Sequence, residues 1–228
     1  TGAGGTGYIL SKNGPIEFYG TGGAAGFQSS GAIKLGSHSA VTVNGVTSSV
    51  SSSASNITLT TDYFGFGASS AINTTGSLTI QPFNTSFSGM QTLSNVSFAS
   101  SLSQVTLGKL DNVGGITIGS GFSTAGALTI YGGRVIINSN ISVTAAGNVN
   151  VTALYSSNDW GLYLYSGSLL ESTAGTLTIT AGTAGSSDLY TNNATIRSYG
   201  NLTITANSTS GRSIWLDPSS LVRSTNGG

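Results

Sequence analysis

The chain has 228 residues, a mass of 22.8 kDa and seven basic against seven acidic side chains, so its formal net charge is zero. Only 6% of its residues are charged, against ~25% in an ordinary soluble domain, while Ser, Thr, Asn and Gly fill roughly half of it. This excludes a helical protein, because those four residue types are poor helix formers, and a charge field able to hold nucleic acid or an anionic membrane.

Polar, Gly-rich chains are often disordered, but 38% of this one is hydrophobic, much of it Ile, Leu and Val, which supports a folded chain. The absence of cysteine removes disulfides, thiol catalysis and Cys-based zinc sites together. No apolar run approaches the ~20 residues of a membrane span, so no membrane insertion is expected. Thr1 is not an initiator Met, which reads as a chain processed or cut from something longer.

In chain order, the first 55 residues are the least regular. Gly14 to Gly23, Gly31 to Leu35 and Ala40 to Val43 read as one coil with a Gly-rich corner, with Pro15 at a strand's first position, where no ladder donor is lost. Residues 46–56 then read as an insertion or extended loop. From Ile57 onward one pattern recurs, an apolar residue, a small polar residue and another apolar residue. It appears as Ile57-Thr58-Leu59, Leu78-Thr79-Ile80, Val105-Thr106-Leu107, Leu128-Thr129-Ile130, Val149-Asn150-Val151, Leu177-Thr178-Ile179 and Leu202-Thr203-Ile204. Alternation with period two predicts strands, and starts spaced by about 21 to 28 residues fall in the solenoid window.

The segments between the triplets repeat as well. Leu162 to Leu169 matches Leu189 to Ile196 and Ile214 to Leu221, position by position, so each unit has about three short strands separated by Gly, Asn, Ser and Asp turns. A sandwich does not require like residues at matching positions; stacked coils do. The expected fold is all-β, a right-handed parallel β-helix of about seven to eight coils of roughly 21–28 residues, with residues 1–228 forming one β-solenoid domain. Ile, Leu and Val point inward, while Thr, Ser and Asn face solvent. Thr58, Thr79, Thr106, Thr129, Asn150, Thr178 and Thr203 then form one outer row. The same register puts Leu162, Leu189 and Ile214 in an inner stack, and Glu171, Arg197 and Arg223 on one face as an exposed charged row.

The chain resembles the repeat regions of filamentous-haemagglutinin-like bacterial exoproteins and adhesins, on GTLTITAGTAG at 175–185, GNLTITA at 200–206, ALTIYGGRVIINSNISVTAAGNVNVTA at 127–153 and GPIEFYGTGGAAG at 14–26. The resemblance covers most of the chain as a style of repeat. It implies a right-handed β-helix exported through an outer-membrane partner, and a role in attachment and biofilm contacts. The Asn-Pro-Asn secretion motif of that family's N-terminal domain is absent, so this stretch corresponds to repeat body.

Little in the sequence points to chemistry. The carboxylates Glu17, Asp62, Asp111, Asp159, Glu171, Asp188 and Asp217 are dispersed, so any catalytic pair must be assembled by stacking, as in β-helix polysaccharide-active enzymes. His38 sits in a Ser/Gly turn without partners for a triad or metal site. Gly2 to Gly7 satisfies G-x-G-x-x-G without its strand, helix or acidic residue, and Leu110 follows Gly108-Lys109 where a P-loop needs Ser or Thr. No catalytic, cofactor or metal residues are expected. Asn-x-Ser/Thr sequons stand at Asn56, Asn73, Asn84, Asn95, Asn140, Asn150, Asn193, Asn201 and Asn207, candidates for glycosylation partly created by the strand pattern itself.

Tyr163, Tyr190 and Trp215 occupy equivalent outward positions on successive coils, as a strip able to bind a sugar face or a protein. The alternative is that a loop covers them or that they only support one another. The expected function is a non-enzymatic, secreted or cell-surface stalk or adhesin with host or neighbouring-cell glycans or proteins as partners. A filament subunit that self-associates end to end is the competing reading. Ice binding through the Thr row is less favoured, because coil lengths vary and Asn150 interrupts the row.

Overall fold

The computed structural model describes the strands within residues 7–52 by their backbone. With their side chains it describes residues 56–67, 70–154, 160–183, 188–208 and 213–226. Every described regular element is a strand, and every strand pairing is parallel. The strands form three faces around a shared interior.

The first face is one continuous nine-stranded sheet of Gly7–Ser11, Ile33–Ser37, Ile57–Thr61, Ser77–Gln81, Gln104–Leu107, Ala127–Gly132, Val149–Ala153, Leu177–Ala181 and Leu202–Ala206. The second has three strands, Ile16–Gly20, Val41–Gly45 and Phe64–Phe66, then six, Met90–Leu93, Gly115–Ile118, Val135–Ile137, Trp160–Leu164, Ser187–Thr191 and Ile214–Leu216. The third has four, Ala25–Ser29, Ser48–Ser52, Ser70–Asn73 and Val96–Phe98, then five, Phe122–Thr124, Ser142–Ala145, Leu169–Ser172, Thr195–Ser198 and Leu221–Ser224. Each rung gives one strand to each face, so the array is a parallel β-solenoid.

Register follows the triplets. Thr58, Thr79, Thr106, Thr129, Asn150, Thr178 and Thr203 are successive partners on the first face. Their apolar neighbours turn inward, and Ile57, Leu59, Leu78, Ile80, Leu128, Ile130, Leu177 and Ile179 are fully buried. The second face stacks Leu162 on Leu189 and Leu189 on Ile214. Burial of one such side chain is worth about 1.5–3 kcal/mol, and repetition along the rod makes this apolar column the main source of stability.

Two expectations are corrected. Residues 46–56 are not an insertion, because Ser48–Ser52 is a ladder strand paired with Ala25–Ser29 and Ser70–Asn73. Residues 7–52 therefore supply two rungs whose first-face strands, Gly7–Ser11 and Ile33–Ser37, lack the Thr-centred triplet, so the first face counts more rungs than that triplet marks.

The second correction concerns hydroxyls. Not all of them face solvent: Thr74, Thr124, Ser172 and Ser198 are buried at the corner between the third and first faces. There the chain bends and leaves backbone groups without ladder partners. The Ser172 hydroxyl donates to Gly147 O at 2.8 Å and accepts from Gly175 N, Ser198 donates at the Gly175 and Asn201 carbonyls, and Ser224 donates to Gly200 O at 2.9 Å. A small hydroxyl satisfies polar backbone that an apolar side chain would strand.

Candidate interaction surfaces

The second face carries the aromatic strip. Tyr163, Tyr190 and Trp215 are register partners behind Ile136. The Tyr163 and Tyr190 rings stack at 4.6 Å and 27°, while Trp215 lies 6.3 Å from Tyr190. No loop among the described residues buries them, and Trp215 is 39% exposed. Partial burial and the neighbouring Tyr190 and Tyr165 phenols hold the Tyr163 hydroxyl above its ordinary value of 10.0, with Arg134 pulling the other way.

Two further rings join it. Tyr165 packs 4.3 Å from Tyr163, and simple alternation from Tyr163 would have found it. Trp160 packs 5.1 Å from Tyr190, although alternation would send it inward. Gly161 breaks the period: it and Leu162 are both buried, and a Cβ at Gly161 would lie 2.5 Å from Ala153 O. Glycine inside a strand was the available signal.

The third face aligns Glu171, Arg197 and Arg223 on adjacent rungs, as the repeat alignment expects. Arg197 grips Glu171 through two bonds, Nε to Oε1 at 2.6 Å and a terminal nitrogen to Oε2 at 2.8 Å. Those bonds and the charge of Glu171 push the Arg197 guanidinium further up. The pair is less exposed than expected, since only 11% of the Glu171 side chain is accessible.

Three other described carboxylates, Asp62, Asp188 and Asp217, serve turns. Asp62 and Asp188 are buried at the corner between the first and second faces, five rungs apart. Asp62 accepts from Asn84 N at 2.9 Å and from the Asn84 amide, and Asp188 accepts from Ser208 N at 2.7 Å. Gly182, with φ of 76°, makes room there, because a Cβ would sit 1.5 Å from Asp188 Oδ1. Asp217 Oδ1 accepts from Ser219 N in the turn that follows the Trp215 strand. Among the described residues no group of three or more His, Asp or Glu could hold a metal ion. His38 and Asp159 lie outside the described residues, as do residues 1–6 of the Gly-rich stretch.

All nine sequon asparagines are exposed. Asn95, Asn140 and Asn193 adopt left-handed backbone, with φ of 61°, 59° and 45°, in the turns from the second face to the third. Asn is among the few residues that tolerate this, so turn geometry accounts for these three without modification. The Asn84 amide is bound to Asp62, and the Asn193 amide donates to Ser166 Oγ at 3.2 Å. Asn150 interrupts the Thr row on the first face, and Tyr131 and Gln81 interrupt the row beside it.

No helix among the described residues is long and apolar enough to cross a membrane. No family model, no curated protein and no solved structure matches the chain.

Proposed function

We propose that this chain is a non-enzymatic, extracellular β-solenoid, a rigid stalk or adhesin segment that mediates attachment through its side faces. The observation that carries this reading is the aromatic ladder on the second face, held at rung spacing by a buried apolar column. Rings fixed in this way offer a sugar or protein surface little ordering cost on binding. The resemblance to adhesin repeat regions supports the same reading. Replacing Tyr163, Tyr190 and Trp215 by Ser should leave the fold intact and weaken attachment to cells or immobilised glycans. Unchanged attachment would remove the strip, and glycan cleavage by the wild-type chain would overturn the non-enzymatic assignment.

A second reading, a subunit of an extracellular filament, draws on the outer edge of the last described rung. Ile214, Leu216 and Leu221 are each about half exposed there, and an adjoining rung of this chain or of another copy would bury them. Electron microscopy of native material separates a short rod from a continuous fibre.

A further inference from the structure

The third face holds a second surface, distinct in place and chemistry from the aromatic strip. Glu171, Arg197 and Arg223 occupy one outward row on three consecutive rungs, and Thr173, Tyr199 and Thr225 follow them two residues later. Together these six side chains line an open groove of about 260 Å³.

Its charge is unbalanced. Within the row, Arg197 is the residue one rung beyond a carboxylate, and it holds that carboxylate with a two-bond fork. Arg223 repeats the position one rung further on, where the residue behind it is Arg197 instead of an acid. The two arginines are backbone register partners at rung spacing, about 4.8 Å, and Arg197 is the one that holds the carboxylate. Arg223 is exposed and has no ion-pair partner among the described residues.

The rest of the groove specifies what kind of anion suits Arg223. Tyr199 is 47% exposed and lies between Thr173 and Thr225 in rung order, so an apolar ring face is flanked by hydroxyls. A pyranose fits this pattern, with its C–H face on an aromatic ring and its hydroxyls on neighbouring donors and acceptors. An acidic peptide would be recognised most readily by an unpaired strand edge, but the Thr195–Ser198 ladder is filled on both sides, by Leu169–Ser172 and by Leu221–Ser224.

We propose that this groove binds an acidic sugar, with Arg223 receiving the carboxylate of a hexuronate unit and Tyr199 packing against its ring. The site does not depend on Tyr163, Tyr190 or Trp215, so it can fail without touching the attachment reading, and the converse also holds.

The test is calorimetric titration of the whole chain with oligogalacturonate, the same oligomer fully methyl-esterified, dextran sulfate and polyaspartate. Binding of oligogalacturonate is expected, together with its loss on esterification. Arg223→Gln should weaken it by at least about tenfold, the scale of one charged hydrogen bond, and Tyr199→Ser should weaken it as well. The Tyr163, Tyr190 and Trp215 triple variant should bind as wild type. Both groove residues are exposed, and an unchanged far-ultraviolet circular dichroism spectrum separates lost binding from lost fold. Affinity that survives esterification or Arg223→Gln would overturn the carboxylate assignment, as would equal binding of dextran sulfate. Affinity untouched by Tyr199→Ser, or tighter binding of polyaspartate, would overturn the sugar.

Discussion

The stretch from Ile57 to Thr124 and the stretch from Ala127 to Asn226 use the same coil in different ways. In the second, each rung pairs with the next on all three faces, and the backbone ladder carries the register. In the first, the second face breaks between Phe64–Phe66 and Met90–Leu93, and the third face breaks between Val96–Phe98 and Phe122–Thr124. Side chains take over there. Gln91 Oε1 accepts from Phe64 N at 3.1 Å across the break, and Asn112 Oδ1 accepts from Phe87 N and Gly114 N at 3.0 Å each. Asn112 Nδ2 reaches Tyr131 O at 2.8 Å on the next rung. Phe64, Phe66 and Phe87 fill the interior, with Phe87 edge-on to Phe64 at 5.4 Å, and Phe98 meets Phe122 at 4.9 Å across the other break. Where the ladder lapses, stability concentrates in a few large rings and polar side chains; where it continues, many small equal contributions share the load.

Substitutions can break this contrast in order of severity. Leu189→Asp places an unpaired carboxylate in the apolar column of the regular stretch, where Leu189 is fully buried, and should cost on the order of 5 kcal/mol. An unchanged melting temperature would mean that the inward register is wrong. Phe87→Ala, in the interrupted stretch, should cost about 3 kcal/mol through the cavity it leaves. Hydrogen exchange should then rise mainly around residues 62–115, and a uniform rise along the rod would show that the two stretches unfold as one unit.

Asn112→Ala sharpens the comparison, since it removes no apolar packing but strands Phe87 N, Gly114 N and Tyr131 O. About 2 kcal/mol should be lost, measured by urea unfolding. A neutral outcome would mean that water replaces the amide.

The smallest effect is one of pH, in the regular stretch. Tyr163 has a raised folded-state pKa, so its proton is held more tightly folded than unfolded. Its contribution is complete below the unfolded value of about 10 and is lost as pH rises through the folded value. Wild type should therefore lose slightly more stability than Tyr163→Phe between neutral pH and pH values above 10. Parallel pH profiles would show that the Tyr163–Tyr190 stack does not perturb ionisation.

Much of this was legible because a parallel solenoid reuses its pattern. Leu177-Thr178-Ile179 and Leu202-Thr203-Ile204 are adjacent in space because they are alike in sequence, and the same logic placed Tyr163 behind Tyr190 and Glu171 behind Arg197. The rungs of residues 7–52 were read incompletely because Gly and Ser dominate them, so strand and loop look alike there.

Periodicity by itself determined the strands, the parallel stacking and the identity of the inward and outward rows, because burial selects apolar residues every second position and stacking repeats them every rung. Only the tertiary structure decided how the corners are closed: that Ser172 and Ser198 turn inward to satisfy bent backbone, that Gly161 sends Trp160 out beside Tyr190, and that Asp62, Asp188 and Asn112 bind their neighbouring rungs. At a corner the chain leaves the period of two, and the partner of each backbone group is then fixed by what the adjacent rung brings within hydrogen-bond reach.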